Sequence, residues 1–198
     1  MDGLLHEADV LVTSQRPSAL LRLGLGPESL RARFPSLRLL RIVGNLRDVE
    51  EAGHDLTYQA RTGLVGEAMP RTLAADVMTS ERAYSGVLAL LRQHPGSWLD
   101  VGMVQSLEPL LAPLRHGLTV PGGPLGGGAA QYRIYETKAG RVAVAALEGH
   151  FERRLYALLE LASGSDLSSR LLERTAPEWE AWARDHDLPL VAVAGVAM

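Results

Sequence analysis

The sequence contains no cysteine, so disulfide bonds and thiolate zinc sites are excluded. The six histidines show no metal-ligand spacing, and we predict no metal site. No stretch approaches the roughly 18 apolar residues that a membrane-spanning helix needs. The first residues lack the basic segment of a signal peptide, and together with the missing cysteine this predicts a cytoplasmic protein.

Aromatic residues and an excess of positive charge are also lacking. The chain has 2 Phe and 5 Tyr, and its 20 Lys and Arg stand against 23 Asp and Glu, for a net charge of -3. Because the basic residues are scattered, we predict no nucleic-acid partner. With 198 residues, of which 46% are apolar and 22% charged, the chain has a globular composition and enough residues for one large core or two small ones.

The first half of the chain alternates apolar runs with helical patterns, which predicts an α/β layer with a parallel sheet. Strands are expected at 10–12 and 37–43, with helices beginning at Pro17 and Pro27 between them. A helix is predicted from near His54 to about Arg61, and a longer one from Pro70. A short strand at 98–104 leads into a further helix. The long helix carries the apolar residues Leu73, Val77, Tyr84, Leu88 and Leu91.

Residues 117–130 hold six glycines and two prolines, which is typical of a flexible linker. The run Gly126-Gly127-Gly128 has no following Lys-Ser/Thr, so it is not a phosphate-binding loop. We therefore predict a large α/β lobe over 1–116, a linker over 117–130 and a small α+β lobe over 131–198. The small lobe should contain a β-hairpin at 132–147, helices at 151–161, 167–173 and 177–185, and a closing apolar run at 189–196. Thr175 and Glu178 have the spacing of a capping box.

Three ionisable residues far apart in sequence lie at the edges of apolar or small-residue segments: His54, Asp76 and Glu148. An imidazole and a carboxylate that face one carbon from opposite sides can remove a proton and return one, as chemistry at an α-carbon requires. Simpler interpretations exist for each residue. His54 is compatible with a helix cap, Asp76 with a solvent-exposed charge near Arg71 or Arg82, and Glu148 with the first-turn acid of a helix.

Seven segments in a fixed order carry a resemblance that spans nearly the whole chain. They are Ala8-Asp9-Val10-Leu11-Val12, Arg16-Pro17 with Arg22-Leu23-Gly24-Leu25-Gly26-Pro27, Ala52-Gly53-His54-Asp55-Leu56-Thr57-Tyr58, the helix around Asp76, Leu99-Asp100-Val101-Gly102-Met103-Val104, Tyr135-Glu136-Thr137 through Leu147-Glu148, and Trp179-Glu180-Ala181-Trp182. With them the chain resembles the family III CoA-transferase superfamily of CaiB/BaiF type. It is most similar to the α-methylacyl-CoA racemase branch.

The resemblance implies roles for the three ionisable residues. His54 of the Gly-His-Asp motif would be the base, Asp76 the acid or base on the opposite face, and Glu148 the partner of the histidine. In the transferase branch the aspartate forms an acyl anhydride and the histidine is missing, so His54 favours proton transfer. The implied fold is a partial doubly wound large lobe with a smaller α+β lobe, in an intertwined homodimer. Each active site would then combine His54 and Asp76 of one chain with Glu148 of the other.

Substrate contacts and departures from the family pattern complete these expectations. Arg16, Gly53 and Tyr58 are expected to bind the substrate, an acyl thioester on CoA or on a carrier, and no cofactor is expected. The chain begins after a strand-helix-strand region that holds much of CoA in the family, and it stops before a segment that returns to the large lobe. We therefore expect weak binding of CoA itself. The glycine-rich stretch after the family's aspartate is replaced by residues 77–82, which indicates a reshaped acyl pocket.

The sequence leaves three functions open. The first is a racemase or epimerase that transfers a proton at the α-carbon of an acyl thioester. The second is a dehydratase, double-bond isomerase or cyclase of a biosynthetic pathway on the same scaffold. The third is a non-catalytic subunit that pairs with a longer partner.

Overall fold

The structure, a computed structural model, describes residues 2–195. It divides into two compact units, Met1–Ala112 and Pro113–Met198, and each unit has a hydrophobic core of its own. Among the described residues, no helix is both long and apolar enough to cross a membrane.

The first unit is built on a parallel sheet, as the alternating pattern of the sequence predicts. Its strands are β1 (Val10–Thr13), β2 (Arg38–Val43) and β3 (Trp98–Gly102), in the spatial order β1-β2-β3. Val12 lies opposite Leu40, and Leu40 lies opposite Leu99. The apolar runs of these strands fit a sheet that is covered on both faces.

Helices cover the two faces of this sheet, which gives the doubly wound arrangement. Leu39 and Leu40 point to opposite faces because side chains alternate along a strand. Leu39 packs in a cluster with Leu5 of helix α1 (Asp2–Glu7) and Leu30 of α3 (Pro27–Arg33). Leu40 packs with Leu90 of the long helix α5 (Ala74–Leu91). Helix α2 (Pro17–Arg22) lies between β1 and α3 along the chain.

Helix α5 departs from expectation in its start, and its buried face consists mostly of small residues. It begins at Ala74 instead of Pro70. The larger apolar residues named above are exposed, whereas the residues buried against the sheet and neighbouring helices are mostly small: Ala75, Thr79, Ala83, Gly86 and Leu90. Gly86 shows why, because a Cβ there would lie 2.8 Å from Cδ1 of Leu40. Small residues let the helix approach the sheet closely.

Two shorter helices complete the part of the first unit that matters for the site. Helix α4 (Asp55–Thr62) begins as predicted after His54, and α6 (Met103–Leu107) directly follows β3. Tyr58 of α4, Ala75 of α5 and Leu107 of α6 form a buried cluster. This cluster fixes the three helices against one another. A 3₁₀ turn at Glu108–Leu111 and helix α7 (Ala112–Arg115) follow.

The second unit has the predicted α+β character. Strands β4 (Tyr132–Glu136) and β5 (Arg141–Ala145) form the expected hairpin, and β6 (Leu190–Ala192) adds to β5, all antiparallel. Helices α8 (Gly149–Leu158), α9 (Ser168–Leu171) and α10 (Ala176–Asp185) pack on this sheet around Trp179. The capping box is confirmed, since the Thr175 N–H donates to Glu178 Oε2 at 2.7 Å. Residue 196, the last of the predicted closing apolar run, lies outside the described residues.

The glycine-rich segment differs from the flexible linker that its composition predicts. It belongs to the second unit and forms a wide turn at Pro124–Gly128 with its own backbone hydrogen bonds, among them Leu125 N–H to Leu118 C=O at 2.8 Å. A Cβ at Gly126 would lie 1.9 Å from the Val120 carbonyl oxygen. Glycine is therefore needed here for close backbone packing. The lobe bounds 1–116 and 131–198 stay a prediction.

Candidate functional site

A cavity of about 250 Å³ opens in the first unit where β1 and β2 end. Ligand sites of open parallel sheets lie at this edge, beyond the carboxyl ends of the strands. The lining joins the ends of β1 and β2 to the starts of α4 and α6. Its residues are Ser14, Arg16, Ile42, Val43, Gly44, Val49, Glu51, Gly53, His54, Tyr58 and Met103. The structure thus brings together four of the predicted site residues: Arg16, Gly53, His54 and Tyr58.

His54 is the N-cap residue of α4 and is exposed. Its backbone is held by Thr57, whose Oγ1 accepts from the His54 N–H at 3.0 Å and donates to the His54 carbonyl at 2.8 Å. His54 and Thr57 thus form a capping box, in which the His54 side chain faces the Thr57 N–H. The capping box fixes His54 at the edge of the cavity that it lines.

Tyr58 is buried beside His54, with only 3% of its surface exposed. Its ring lies against two glycines: a Cβ would come within 2.4 Å of the Tyr58 hydroxyl oxygen at Gly44 and within 2.6 Å of the ring at Gly53. Burial, followed by the Glu51 carboxylate, raises the pKa of Tyr58 above its ordinary value of 10.0. The tyrosine hydroxyl is therefore protonated at neutral pH. Gly53 contributes space for this ring.

Asp55 connects the helix that follows His54 to the helix that carries Asp76. It is 6% exposed, and its Oδ1 accepts from the backbone N–H groups of Ala75 at 2.7 Å and Asp76 at 3.1 Å. Its Oδ2 accepts from Gln59 Nε2 at 2.6 Å. A carboxylate on free N–H groups at a helix start is a stabilising cap. The Asp55 carboxylate therefore caps α5, although Asp55 itself is the first residue of α4.

Asp76 lies in the first turn of α5, where Asp55 holds its N–H. Its side chain is exposed and forms no ion pair or hydrogen bond within residues 2–195. Arg82, one of the two partners considered from sequence, instead donates to the Gln105 carbonyl at 2.6 Å. Asp76 is not among the residues that line the cavity. The structure brings the starts of α4 and α5 together. That the side chains of His54 and Asp76 face one another stays a prediction.

Sequence reasoning missed two carboxylates in the loop before His54. Glu51 lines the cavity, accepts from Asn45 Nδ2 at 2.9 Å and forms an ion pair with Arg61 at 2.5 Å. Glu50 accepts from the Ser18 N–H at 2.7 Å and from the Ser18 hydroxyl at 2.8 Å. These Ser18 hydrogen bonds lower the pKa of Glu50. In the sequence, the only indication of a role for Glu50 or Glu51 is that the two acids stand next to the Gly-His-Asp motif.

Glu148 belongs to the second unit, where it is the exposed N-cap residue of α8. Its carbonyl accepts from the Glu152 N–H at 2.9 Å. The pairing of Glu148 with His54 stays a prediction. For metals, residues 2–195 contain no group of three or more His, Asp or Glu side chains arranged to hold an ion.

Comparisons with known proteins find similarity along most or all of this chain. The sequence profile of CoA-transferase family III matches residues 1–198. The CaiB/baiF CoA-transferase family protein ZK892.4 of Caenorhabditis elegans is 28% identical, over 89% of this chain and 62% of that protein. The chain thus spans less than two thirds of this relative's length.

Solved structures show the same fold. The hypothetical protein Rv3272 of Mycobacterium tuberculosis has a TM-score of 0.81 at 20% identity, over 99% of this chain and 65% of that one. A CAIB/BAIF family protein of Brucella suis has a TM-score of 0.75 at 20% identity, over 98% of this chain and 62% of that one. Given the match of the profile to every residue, the chain belongs to CoA-transferase family III.

Proposed function

We propose that the protein is a racemase or epimerase that moves a proton at the α-carbon of an acyl thioester. The His54 imidazole takes the α-proton from one face, and the electron pair of the C–H bond moves into the carbonyl to give an enolate. A protonated Asp76 then donates to the α-carbon from the other face, as the electron pair returns to form the new C–H bond. Exchange with solvent restores both groups, and the reverse reaction uses them in opposite roles.

The observation that carries this proposal is the double hydrogen bond from the start of α5 to Asp55. His54 precedes Asp55 directly, and Asp76 is one of the two residues whose N–H groups Asp55 binds. Asp55 thus ties the start of α4, which follows His54, to the start of α5, which carries Asp76. Positioned acid-base groups of this kind contribute about 10²–10⁴-fold each to rate.

The enolate oxygen needs hydrogen-bond donors, and the start of α4 offers them. The first N–H groups of a helix have no partner within the helix, and the helix dipole favours negative charge there. Donors that are preorganised where charge develops stabilise the transition state. The backbone N–H groups of Asp55 and Leu56, next to the cavity residue His54, are the candidates.

Glu148 has a proposed role that depends on assembly. In this role a Glu148 carboxylate from a second copy of the chain would hydrogen-bond to His54 and favour its charged form.

The test is incorporation of solvent deuterium. A 2-methyl-branched acyl thioester is incubated in D₂O with the protein, and the α-position is followed by NMR. We expect exchange accompanied by racemisation, with loss of racemisation in His54→Ala and in Asp76→Ala. His94→Ala is the matched control, since His94 is an exposed histidine of the same unit outside the cavity. Transfer of CoA to a free acid without α-exchange would instead indicate acyl-anhydride chemistry at Asp76.

A further inference from the structure

We propose that one face of α5 binds a second copy of this chain, with the two α5 helices packed antiparallel about a twofold axis near Tyr84. This contact does not depend on the proposed reaction. The exposed apolar residues of α5, their spacing and the charges beside them point to the second copy.

An apolar stripe runs along α5, on the side of the helix away from the small residues that pack on the sheet. Five residues form it, and each is at least 44% exposed: Leu73, Val77, Tyr84, Leu88 and Leu91. The stripe is about 27 Å long, because an α-helix rises roughly 1.5 Å per residue. Soluble monomers rarely leave so large an apolar patch open to water, and such a patch indicates an interaction site.

The spacing of the stripe is typical of a helix that pairs with another helix. Val77, Tyr84 and Leu91 follow one another at intervals of seven residues, and Ser80 lies between the first two. Apolar residues repeated in this way form a seam along one side of a helix, which a facing helix covers. Ser80 is the one polar residue in the seam between Val77 and Leu91.

The stripe is complementary to itself when the two helices run antiparallel. About a twofold axis beside Tyr84, Val77 of one copy lies opposite Leu91 of the other, and Ser80 lies opposite Leu88. The small serine then faces a large leucine, and the two tyrosine side chains pack together at the axis. In a parallel pair Ser80 would face Ser80 and leave a gap in the seam. A self-complementary patch of this kind is what a twofold contact requires.

The charges beside the stripe favour the same direction. The helical repeat of about 3.6 residues per turn places Glu81 and Arg92 on one flank of the stripe and Asp76 on the other. Glu81 and Arg92 are exposed, and their side chains form no hydrogen bond or ion pair within residues 2–195. A twofold axis perpendicular to the helices brings like flanks together, so Glu81 of one copy lies on the side of Arg92 of the other. A parallel pair would instead bring Glu81 to the side of Asp76, a second carboxylate.

The experiment uses the absence of cysteine from this chain, because an introduced cysteine is then its only thiol. Tyr84→Cys is treated with a mild oxidant at micromolar concentration and followed on a non-reducing gel. We expect a disulfide-linked dimer, because residues at the axis of a close helix pair come within the roughly 4.4–6.8 Å between Cα atoms that a disulfide spans. Ala89→Cys is the matched control, since Ala89 is exposed on the same helix outside the stripe. It should crosslink at least about 10-fold more slowly.

A mixture of Val77→Cys and Leu91→Cys tests the direction of the helices. The antiparallel pair predicts that the two variants crosslink with each other about 10-fold faster than either does with itself. Faster linkage of each variant to itself would mean a parallel pair and would overturn the proposed arrangement. Linkage of Tyr84→Cys no faster than that of Ala89→Cys would overturn the contact itself, and would leave the stripe to another protein or another part of the chain.

The dissociation constant of the dimer, measured by light scattering across a dilution series, gives a readout without cysteine. Leu88→Asp should raise it about 10-fold or more, because it places a charge in the seam. Leu4→Asp is the control, since Leu4 is an exposed leucine of α1 in the same unit. Glu81→Arg should weaken the dimer about 3-fold, and adding Arg92→Glu should restore it. Equal dissociation constants for Leu88→Asp and Leu4→Asp would reject the contact.

Discussion

At the scale of single residues, the geometry of the cavity depends on glycines that accommodate Tyr58. The ring of Tyr58 occupies the space that a side chain would need at Gly44 or Gly53. The Gly in Gly53-His54-Asp55 is therefore explained by packing, independently of any role in binding substrate. The position of the Tyr58 hydroxyl is a consequence of that packing.

We predict that Gly53→Ala destabilises the protein by about 1–3 kcal/mol, the usual effect of inserting a methyl group into a packed site. Gly66→Ala is the control, since a Cβ there meets no heavy atom within 4 Å. It should be neutral or slightly stabilising, because alanine restricts the unfolded chain more than glycine does. Urea unfolding measures both, and equal free energies of unfolding for the two variants would contradict the packing account.

The buried tyrosines predict a loss of stability at alkaline pH. Burial is the main cause that raises the pKa of Tyr58, Tyr135 and Tyr156 above 10.0 in the folded protein. Their contribution is complete below the pKa of an unfolded tyrosine and is lost as pH rises through the higher folded values. The free energy of unfolding should therefore fall above pH 10 or so, as tyrosinate absorbance appears. Tyr58→Phe should make this fall smaller, and an unchanged pH dependence would contradict the assigned burial effect.

At the scale of elements, Asp55 explains a helix boundary that the sequence did not predict. Helix α5 has Leu73 at its N-cap, a residue whose side chain cannot accept a hydrogen bond. The acceptor instead comes from Asp55, the first residue of α4. As a result the helix begins at Ala74, and the start of α5 is attached to the start of α4.

We predict that Asp55→Ala lowers the free energy of unfolding by about 3 kcal/mol, because it removes charge-assisted hydrogen bonds and leaves buried donors unsatisfied. Asp76→Ala should cost less than about 0.5 kcal/mol, because its side chain is exposed and unpaired among the described residues. Chemical denaturation at neutral pH tests both. A larger effect for Asp76→Ala than for Asp55→Ala would mean that the cap is misassigned.

The strands of the parallel sheet could be predicted from the sequence, whereas the buried face of helix α5 could not. Apolar runs such as Leu39-Leu40 in β2 identify parallel strands that are covered on both faces. The run Val10-Leu11-Val12 forms the edge strand β1, in which no residue is buried. On α5 the larger apolar residues do not form the packed face, since Val77 is 55% exposed and Ala75 is fully buried. Size and hydrophobicity were misleading because the sheet requires a close approach, which only small residues permit. The cluster of Arg16 with His54 and Tyr58 was predictable only through the family resemblance, since two helices and a strand separate Arg16 from the other two residues in the sequence.

At the scale of the whole molecule, each unit exposes apolar surface that soluble monomers usually cover. In the first unit this surface includes Tyr84, which is 66% exposed, and Leu88, which is 48% exposed. In the second unit Ile134 and Val191 lie in one row across the sheet, at 54% and 52% exposure. The dimer expected from the family resemblance would bury such surface.

We predict that this chain forms a homodimer, with twice the 21.4 kDa mass of one chain. Light scattering at micromolar concentration measures the mass directly. His54→Ala and Glu148→Ala should each lose racemisation. Mixing the two variants should restore racemisation if each site combines residues of two chains, because one site in the mixed dimer is then intact. A monomer, or a dimer without restored activity, would reject the shared site.

The central claim is that His54 and Asp76 act on opposite faces of one α-carbon. It is tested most directly by following each enantiomer of a 2-branched acyl thioester separately in D₂O. In the wild type both enantiomers should exchange and interconvert. His54→Ala should retain α-exchange with one enantiomer only, and Asp76→Ala with the other only, with interconversion lost in both. Exchange of the same enantiomer in both variants, or undiminished interconversion in either, would contradict the account.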